Sequence, residues 1–368
     1  MKLLFLEPFY GGSHRDFADG LCRHSRHVID LRTMPERFWK WRMRGAALHF
    51  IRRISDPGAY DAMICPALMS LADFRMLCRG RCPPAIVYFH ENQLTYPVAP
   101  GESRDLHFAF TDITTALAAD RALFNSRTHL TDFFHHVPEL LNRMPDFRPS
   151  WVVDQIRAKS GVCYPGCRFP ADPPDSHALQ TAGQDPPLVI WNHRWEFDKQ
   201  PEMFFAALEQ VAQTGVDFEV AVLGRAYEKT PWVFAAARSR LGGRIRQFGH
   251  VEDKGRYLQW LARGTVVVST AIQENFGISV VEAARFGCLP LVPNRLVYPE
   301  IIPADLHRLC LYDSFEGLVE KLGDMLCRPR AYDDQRRALA AHMRRYSWEH
   351  RIGEFDREFE ELAAGSRG

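Results

Sequence analysis

The 368-residue chain is poor in several things, and each shortage narrows its class. No apolar run approaches the ~18 residues a membrane-spanning helix needs. The start, Met1-Lys2-Leu3-Leu4-Phe5-Leu6, is briefly apolar. Glu7, Pro8 and Gly11-Gly12 break it too early for a secretory signal, and no small-residue cleavage site follows. Excess charge is also missing. Lys and Arg number 46 against 45 Asp and Glu, a formal net charge of +1, which excludes a globally basic nucleic-acid binder but leaves room for a local basic face. The nine cysteines are odd in number and scattered, which fits a reducing cytoplasm better than a disulfide framework. Two pairs, Cys78/Cys82 and Cys163/Cys167, have C-x3-C spacing without a clustered histidine, so they read as small buried hydrophobes and no zinc site is expected. Internal repeats and low-complexity tracts are lacking as well.

What is present is a pattern of short apolar runs alternating with helical stretches. Hydrophobic residues at 46% and charged residues at 25% suit a soluble protein with sizeable cores, and the length suggests two domains at roughly 150 residues each. Strands are expected at Leu3–Leu6, His27–Leu31, Ala62–Cys65, Ala85–Phe89 and Ala122–Asn125. The first helix is expected over Ser13–Cys22, with Ser13 as its N-cap. Prolines 165, 170, 173, 174, 186 and 187 then interrupt any regular pattern and mark a linker. Alternation resumes with strands at Leu188–Asn192, Phe218–Leu223, Thr265–Ser269 and Leu289–Val292, and helices at Pro201–Thr214, within Val251–Ala262 and at Ser279–Phe286. The segment Tyr332–Leu362 is helical and charged. Strand–helix alternation implies parallel sheets with helices on both faces, an α/β class. The expected division is a first domain 1–166, a linker 167–187, a second domain 188–345 and a helical tail 346–368 packing back on the first domain.

Four segments carry candidate chemistry. In Gln273-Glu274-Asn275-Phe276-Gly277-Ile278, followed by Glu282, the first glutamate sits in a loop after a strand and the second within a helix starting near Ile278. Gly277 permits close backbone approach, and the amides at the helix start suit a diphosphate. One carboxylate can then accept from a sugar and the other from a ribose diol. Two surface glutamates on an ordinary βα unit have the same spacing. In Asn192-His193-Arg194-Trp195-Glu196-Phe197-Asp198-Lys199, Arg194 and Lys199 can present two cations to a pyrophosphate. Tyr10-Gly11-Gly12-Ser13-His14 forms a glycine turn after the first strand, where a substrate can meet backbone amides. His90-Glu91-Asn92-Gln93 follows an apolar strand, and four polar residues there are costly if buried unpaired. At a site they would bind hydroxyls, and His90 or Glu91 would assist proton removal from an acceptor.

In this order, the four segments resemble the retaining GT-B glycosyltransferases of family 4, over nearly the whole chain. The E-x7-E motif of that family matches Glu274 and Glu282, its cationic diphosphate pair Arg194 and Lys199, its N-terminal glycine loop Gly11 and Gly12, and its strand-end histidine His90. His90 is followed here by Glu91, where many members have aspartate. The longer phrases Leu6-Glu7-Pro8-Phe9-Tyr10-Gly11-Gly12-Ser13-His14, His90-Glu91-Asn92-Gln93-Leu94-Thr95-Tyr96-Pro97 and Trp191-Asn192-His193-Arg194-Trp195-Glu196 resemble the tRNA-queuosine α-mannosyltransferase family. That resemblance implies two Rossmann-like domains facing each other across a cleft. It implies transfer of mannose from GDP-mannose, with retention, to the cyclopentenediol of queuosine in the anticodon of tRNA for aspartate. The donor would meet Gly11, Gly12, Asn192, Arg194, Lys199, Glu274, Asn275, Phe276, Gly277, Ile278 and Glu282. The acceptor would meet Ser13, His14, His90, Glu91, Asn92 and Gln93. His90, Glu274, Arg194 and Lys199 would be catalytic. No metal or other cofactor is expected, because the two cations supply the charge a metal would.

A local basic stretch bears on the acceptor. Residues 32–53 hold Arg32, Arg37, Lys40, Arg42, Arg44, Arg52 and Arg53 against Glu36 alone, with Phe38, Trp39 and Trp41 interleaved. Cations beside aromatic rings are what single-stranded RNA recognition uses, so Arg37, Trp39, Lys40, Trp41, Arg42 and Arg44 are candidates for RNA contact. Two other readings stay open. The stretch can be an amphipathic helix with Phe38, Trp39, Trp41, Leu48 and Ile51 turned to the core, or a membrane-surface helix of a transferase acting on lipid. A transferase for a small-sugar acceptor and a non-catalytic nucleotide-sugar or RNA binder are the remaining alternatives.

Overall fold

The computed structural model describes residues 1–99, 101–169, 186–226 and 231–365. They form two compact units, Met1–Arg168 with Tyr346–Gly368, and Phe169–Arg345. Of the expected linker 167–187, residues 170–185 lie outside the described residues.

The first unit holds six parallel strands, β1 (Lys2–Tyr10), β2 (Val28–Pro35), β3 (Ala62–Pro66), β4 (Ala85–Phe89), β5 (Arg121–Phe124) and β6 (Ser160–Val162), in the order β2-β1-β3-β4-β5-β6. Leu3, Leu4, Phe5 and Leu6 of β1 are all buried because helices cover both faces of the sheet. Side chains alternate along a strand, so Leu4 and Leu6 enter one core while Leu3 and Phe5 enter another. The first core packs against α2 (Trp39–Ile51) through Ala46, Ala47 and Phe50. The second packs against α1 (Gly12–His24) through Phe17, Ala18 and Leu21.

The second core is completed from the far end of the chain. Helix Trp348–Gly365 contributes Trp348, Phe355 and Phe359 to it. The Trp348 indole lies so close to Gly20 and Gly166 that a Cβ on either would come within 2.0 or 2.2 Å of it. Arg121 donates to both carboxylate oxygens of Glu358 at 2.6 and 2.9 Å, and Ser25 donates to Asp356 at 2.6 Å.

The second unit repeats the plan with β7 (Leu188–Trp191), β8 (Glu219–Val222), β9 (Ile245–Phe248), β10 (Val266–Val268), β11 (Leu289–Pro293) and β12 (Leu311–Tyr312), in the order β12-β11-β10-β7-β8-β9. Succession runs one way from β7 and then restarts on its other side at β10. Such a reversal opens a crevice beyond the carboxyl ends of the two central strands, the usual ligand position in an open parallel sheet.

Several local expectations need correction. Ser13 is not the N-cap of α1. Gly11 occupies that place with extended backbone, and Ser13 is an exposed residue of the first turn. β2 runs on to Pro35, so Arg32 lies in a strand edge, paired with Asp30 at 2.9 Å, outside any helix. The helix expected within Val251–Ala262 starts at Lys254, where the Asp253 side chain accepts from Arg256 N–H. The charged tail is two helices, Asp333–Met343 and Trp348–Gly365. No helix among the described residues is long and apolar enough to cross a membrane.

Candidate functional site

The loops after β7 and β10 flank the reversal of the second sheet, and they contain the first two candidate segments. The loop after β7 is held rigid by its own aromatic residues. Trp195 stacks on Phe234 with centroids 4.1 Å apart, and Trp191 is fully buried beside Phe204. The loop then closes in the short turn Phe197–Lys199, and Gln200 adopts a left-handed conformation (φ 45°) before Pro201 starts the next helix.

Lys199 is buried, and its ammonium is fully engaged. It donates to the Gln273 carbonyl at 2.6 Å and pairs with Asp198 at 3.2 Å and Glu274 at 3.4 Å. Glu274 in turn accepts from Gly277 N–H at 3.1 Å. Burial alone would raise the Glu274 carboxyl, but Lys199, with the Gly277 amide, outweighs it and holds Glu274 below the ordinary glutamate value. Gly277 has φ +80° and sits at the N-cap of helix Ile278–Arg285, where a side chain would be strained. Lys199 therefore does more than face a ligand: it fixes the carboxylate at the helix start. Arg194 is differently placed. It is half-exposed and pairs with Glu196 at 3.1 Å.

Glu282 lies one turn into that helix and is mostly buried. Its two oxygens meet Lys254 at 2.7 Å and the Tyr257 hydroxyl at 3.0 Å. Asn192 donates to the same Tyr257 hydroxyl at 3.0 Å and to the Ser279 carbonyl at 2.9 Å. His193 reaches the Ser279 hydroxyl at 3.2 Å, and burial, with Lys199 nearby, pushes its imidazole down to about 4, so it is neutral. The structure thus brings Asn192, Lys199, Glu274, Gly277 and Glu282 together across the two loops. Sequence reasoning missed Lys254, Tyr257 and Asp198. The first two lie on a neighbouring helix whose offset from the motif no local spacing reports. Of the remaining donor candidates, Asn275 accepts from the Gln273 side chain at 3.1 Å and Ile278 is half-buried, while Phe276 is buried, so its ring serves packing at the turn.

In the first unit, the loop after β1 and the end of β4 converge. Gly11 needs to be glycine, since a Cβ would fall 1.9 Å from the Glu36 carboxylate, and Gly12 (φ +49°) faces open space. Glu7, fully buried in β1, pairs with His14 at 3.3 Å, and the other His14 nitrogen lies 3.6 Å from Glu91. Burial would lower His14, yet the two carboxylates push it up to about 10, so it is an imidazolium. His90 packs 4.3 Å from His14 and is held well below the usual histidine range, first by burial and then by that charge. Glu7, His14 and His90 also form the one group among the described residues with metal-ligand spacing, their ligand atoms all within 4.8 Å of one another. Within it, both His14 nitrogens face carboxylates, which makes Glu7, His14 and Glu91 an ion-pair chain.

Asn92 departs from its expected role. It is fully buried, donates to His129 at 2.8 Å and accepts from Thr95 N–H at 2.9 Å, so its polar atoms serve the chain itself. His129 continues to Asn125 at 2.7 Å, and Asn125 donates to the His90 carbonyl at 2.8 Å, which fixes the strand end. Gln93 is held through its backbone, N–H to Asp112 and carbonyl to Arg104. In α2 and at its N-cap, the alternative that turns five hydrophobic residues to the core fails for three of them. Phe38, Trp41 and Leu48 are 67, 77 and 60% exposed, and the buried side is Met43, Ala46, Ala47 and Phe50. Trp39 packs beside Phe108 with centroids 5.3 Å apart. Cys78, Cys82, Cys163 and Cys167 are free thiols, and burial raises all those whose pKa departs from the ordinary value.

Two parallel Rossmann-like sheets, with an E-x7-E carboxylate pair and a lysine at the reversal of the second, define a glycosyltransferase of GT-B architecture. Residues 174–342 match the family described as glycosyl transferases group 1, and residues 2–167 match the N-terminal region of tRNA-queuosine alpha-mannosyltransferase. The chain is 37% identical over 346 residues to the tRNA-queuosine alpha-mannosyltransferase of Drosophila melanogaster, covering 91% of this chain and 89% of that one. It belongs to the tRNA-queuosine alpha-mannosyltransferase family. Solved structures agree in fold. Sucrose-phosphate synthase from Thermosynechococcus elongatus superposes with TM-score 0.75 at 15% identity, covering 99% of this chain and 100% of that one. Anabaena HepE in complex with UDP and glucose gives 0.65 at 14%, covering 98% and 100%.

Proposed function

We propose that the protein transfers mannose from GDP-mannose, with retention, to the cyclopentenediol of queuosine in the anticodon of tRNA for aspartate, in the cytoplasm. The observation that carries this reading is the 37% identity, extending over 91% of the chain, to a relative of that name. The intact set Arg194, Lys199, Glu274 and Glu282 supports a catalyst over a degenerate binder. Glu282, already steadied by Lys254 and Tyr257, accepts from the ribose diol. Arg194, half-exposed, meets the departing diphosphate directly, and Lys199 adds its positive charge while holding Glu274. Glu274 and the amides of Asn275, Phe276 and Ile278 orient the sugar, the Gly277 amide being held by Glu274 itself. Gly12, which faces open space, leaves room for phosphate against backbone amides, whereas the space beside Gly11 is taken by Glu36. The acceptor hydroxyl meets Ser13, His14, His90, Glu91 and the Gln93 region. It attacks the anomeric carbon on the face the diphosphate leaves, and its proton passes to the departing phosphate oxygen. No enzyme nucleophile and no metal ion takes part.

The direct test combines purified protein, GDP-mannose and queuosine-containing tRNA for aspartate, followed by digestion and mass analysis of the nucleosides. Gain of one hexose on queuosine, undiminished by EDTA, is expected. No gain with GDP still bound would discard the acceptor. Abolition by EDTA would discard the metal-free mechanism.

A further inference from the structure

We propose that the solvent side of α2, with the turn before it, is a docking surface for single-stranded RNA, built from Phe38 and Trp41 as stacking platforms and Lys40 and Arg44 as phosphate contacts. The proposal rests on the tRNA reading above and adds the place where the nucleic acid is gripped. α2 is anchored without its exposed rings. Met43, Ala46, Ala47 and Phe50 hold it against the first unit, leaving Phe38 and Trp41 two-thirds or more exposed. Large rings left in water on a helix already anchored on its other side are what a binding surface shows.

Charge complementarity identifies the occupant. From Arg37 to Arg53 the sequence contains six Lys or Arg and no Asp or Glu, in a chain whose formal net charge is only +1. Lys40 and Arg44 are exposed and one helical turn apart, and Arg44 lies three residues from Trp41, its neighbour on the helix surface. Cations already accompany aromatic faces here: the Arg37 guanidinium is 5.8 Å from the Phe38 ring centroid, and the Lys40 ammonium is 5.6 Å from that of Trp39. Cations that track phosphates beside open aromatic faces match RNA whose bases are unstacked, as in an anticodon loop. A lipid surface would require a continuous apolar helix side, and the continuous apolar side of α2, Met43, Ala46, Ala47 and Phe50, is already buried in the protein, with Leu48 its one exposed aliphatic side chain.

The test uses the full-length protein and a fluorescein-labelled anticodon stem-loop, read by anisotropy across a salt series, with GDP affinity measured in parallel to report folding. Each ring should contribute about fivefold or more, so the Phe38→Ala, Trp41→Ala pair should weaken RNA binding about 25-fold or more with the salt slope unchanged. The Lys40→Ala, Arg44→Ala pair should flatten the logarithmic salt slope by about 1.4, since each single-strand phosphate contact contributes about 0.7. GDP affinity should stay at the wild-type value in both. Wild-type RNA affinity in both variants would overturn the surface while leaving the tRNA reading intact. Failure of the wild-type protein to bind the stem-loop at all would overturn both. Loss of binding to phosphatidylserine vesicles, with RNA binding unaffected, would assign the surface to membrane and refute the proposal.

Discussion

Replacing Lys199 with methionine keeps most of the side-chain volume and removes one charge. In the native protein that charge lies between Asp198 at 3.2 Å and Glu274 at 3.4 Å, all three side chains being largely buried. Taking the cation away leaves two carboxylates facing each other with little water, and breaking a buried pair from one side costs about 3–5 kcal/mol. For a unit of this size each kcal/mol moves the melting temperature by about 2–4 °C, so a fall of roughly 6–20 °C is expected by differential scanning fluorimetry at neutral pH. The pH dependence is the sharper readout. In the wild type, Glu274 is held below its ordinary value, chiefly by Lys199 against the opposing effect of burial. Its contribution to stability is present above its unfolded pKa and is lost as pH falls through the folded one. Without Lys199, burial dominates and raises the carboxyl, so protonation relieves the variant. The difference in melting temperature between variant and wild type should therefore narrow on going from pH 7.5 to pH 5. A difference below 2 °C at neutral pH, or one that widens in acid, would refute the claim that Lys199 fixes the carboxylate pair. Asp198→Asn in the Lys199→Met background should restore part of the loss, since one of the two stranded charges is then gone.

Other outcomes follow from the same geometry. Tyr257→Phe strips a partner from both Glu282 and Asn192, a cost of about 1–2 kcal/mol, and calorimetry should find GDP affinity roughly tenfold lower with the fold intact. His14, pushed up to about 10 by Glu7 and Glu91, stabilises the folded state fully below its unfolded value near 6.5 and loses that contribution as pH rises through about 10. Glu7→Gln should move this alkaline loss toward neutral pH in pH-dependent melting curves. Trp348→Ala opens a void beside Gly20 and Gly166 and should cost about 3–5 kcal/mol in urea unfolding.

Much of the architecture was legible because α/β alternation writes itself into apolar runs. β4 was read to the residue, and most of the strands and helices that were expected differ from their observed bounds by one or two positions, while β6, β9, β12 and several helices of both units had no expected counterpart. The carboxylate pair was legible for a related reason: a strand, a glycine turn and a helix leave a local signature. What escaped depends on distance in the chain. The bonds of Tyr257 to Glu282 and of His129 to Asn92 join residues far apart in sequence. Asn92 resembled a ligand contact because polar residues at a strand end look alike whether they face a substrate or a buried histidine. Whether Trp41 faced the core or solvent stayed open because hydrophobicity alone does not fix the buried side of a helix; here smaller residues, Ala46 and Ala47, allow the close approach of α2 to its sheet. Phe38 is the N-cap of that helix in a left-handed conformation (φ 56°), which no periodicity argument foresees.

The helix Trp348–Gly365 makes the order of synthesis differ from the order in which the cores can close. The first 168 residues emerge with Phe17 and Tyr88 lacking Trp348 and Phe355, and they wait for all of the second unit to be made. At ~5–20 residues per second that delay is roughly ten to forty seconds, during which an apolar sheet face stays open to chaperones or to other chains. The second unit, drawn from one uninterrupted stretch, has no such wait. A stop codon near position 346 would therefore leave the second unit whole and damage the first, so a lesion that follows the second unit would act on residues that precede it.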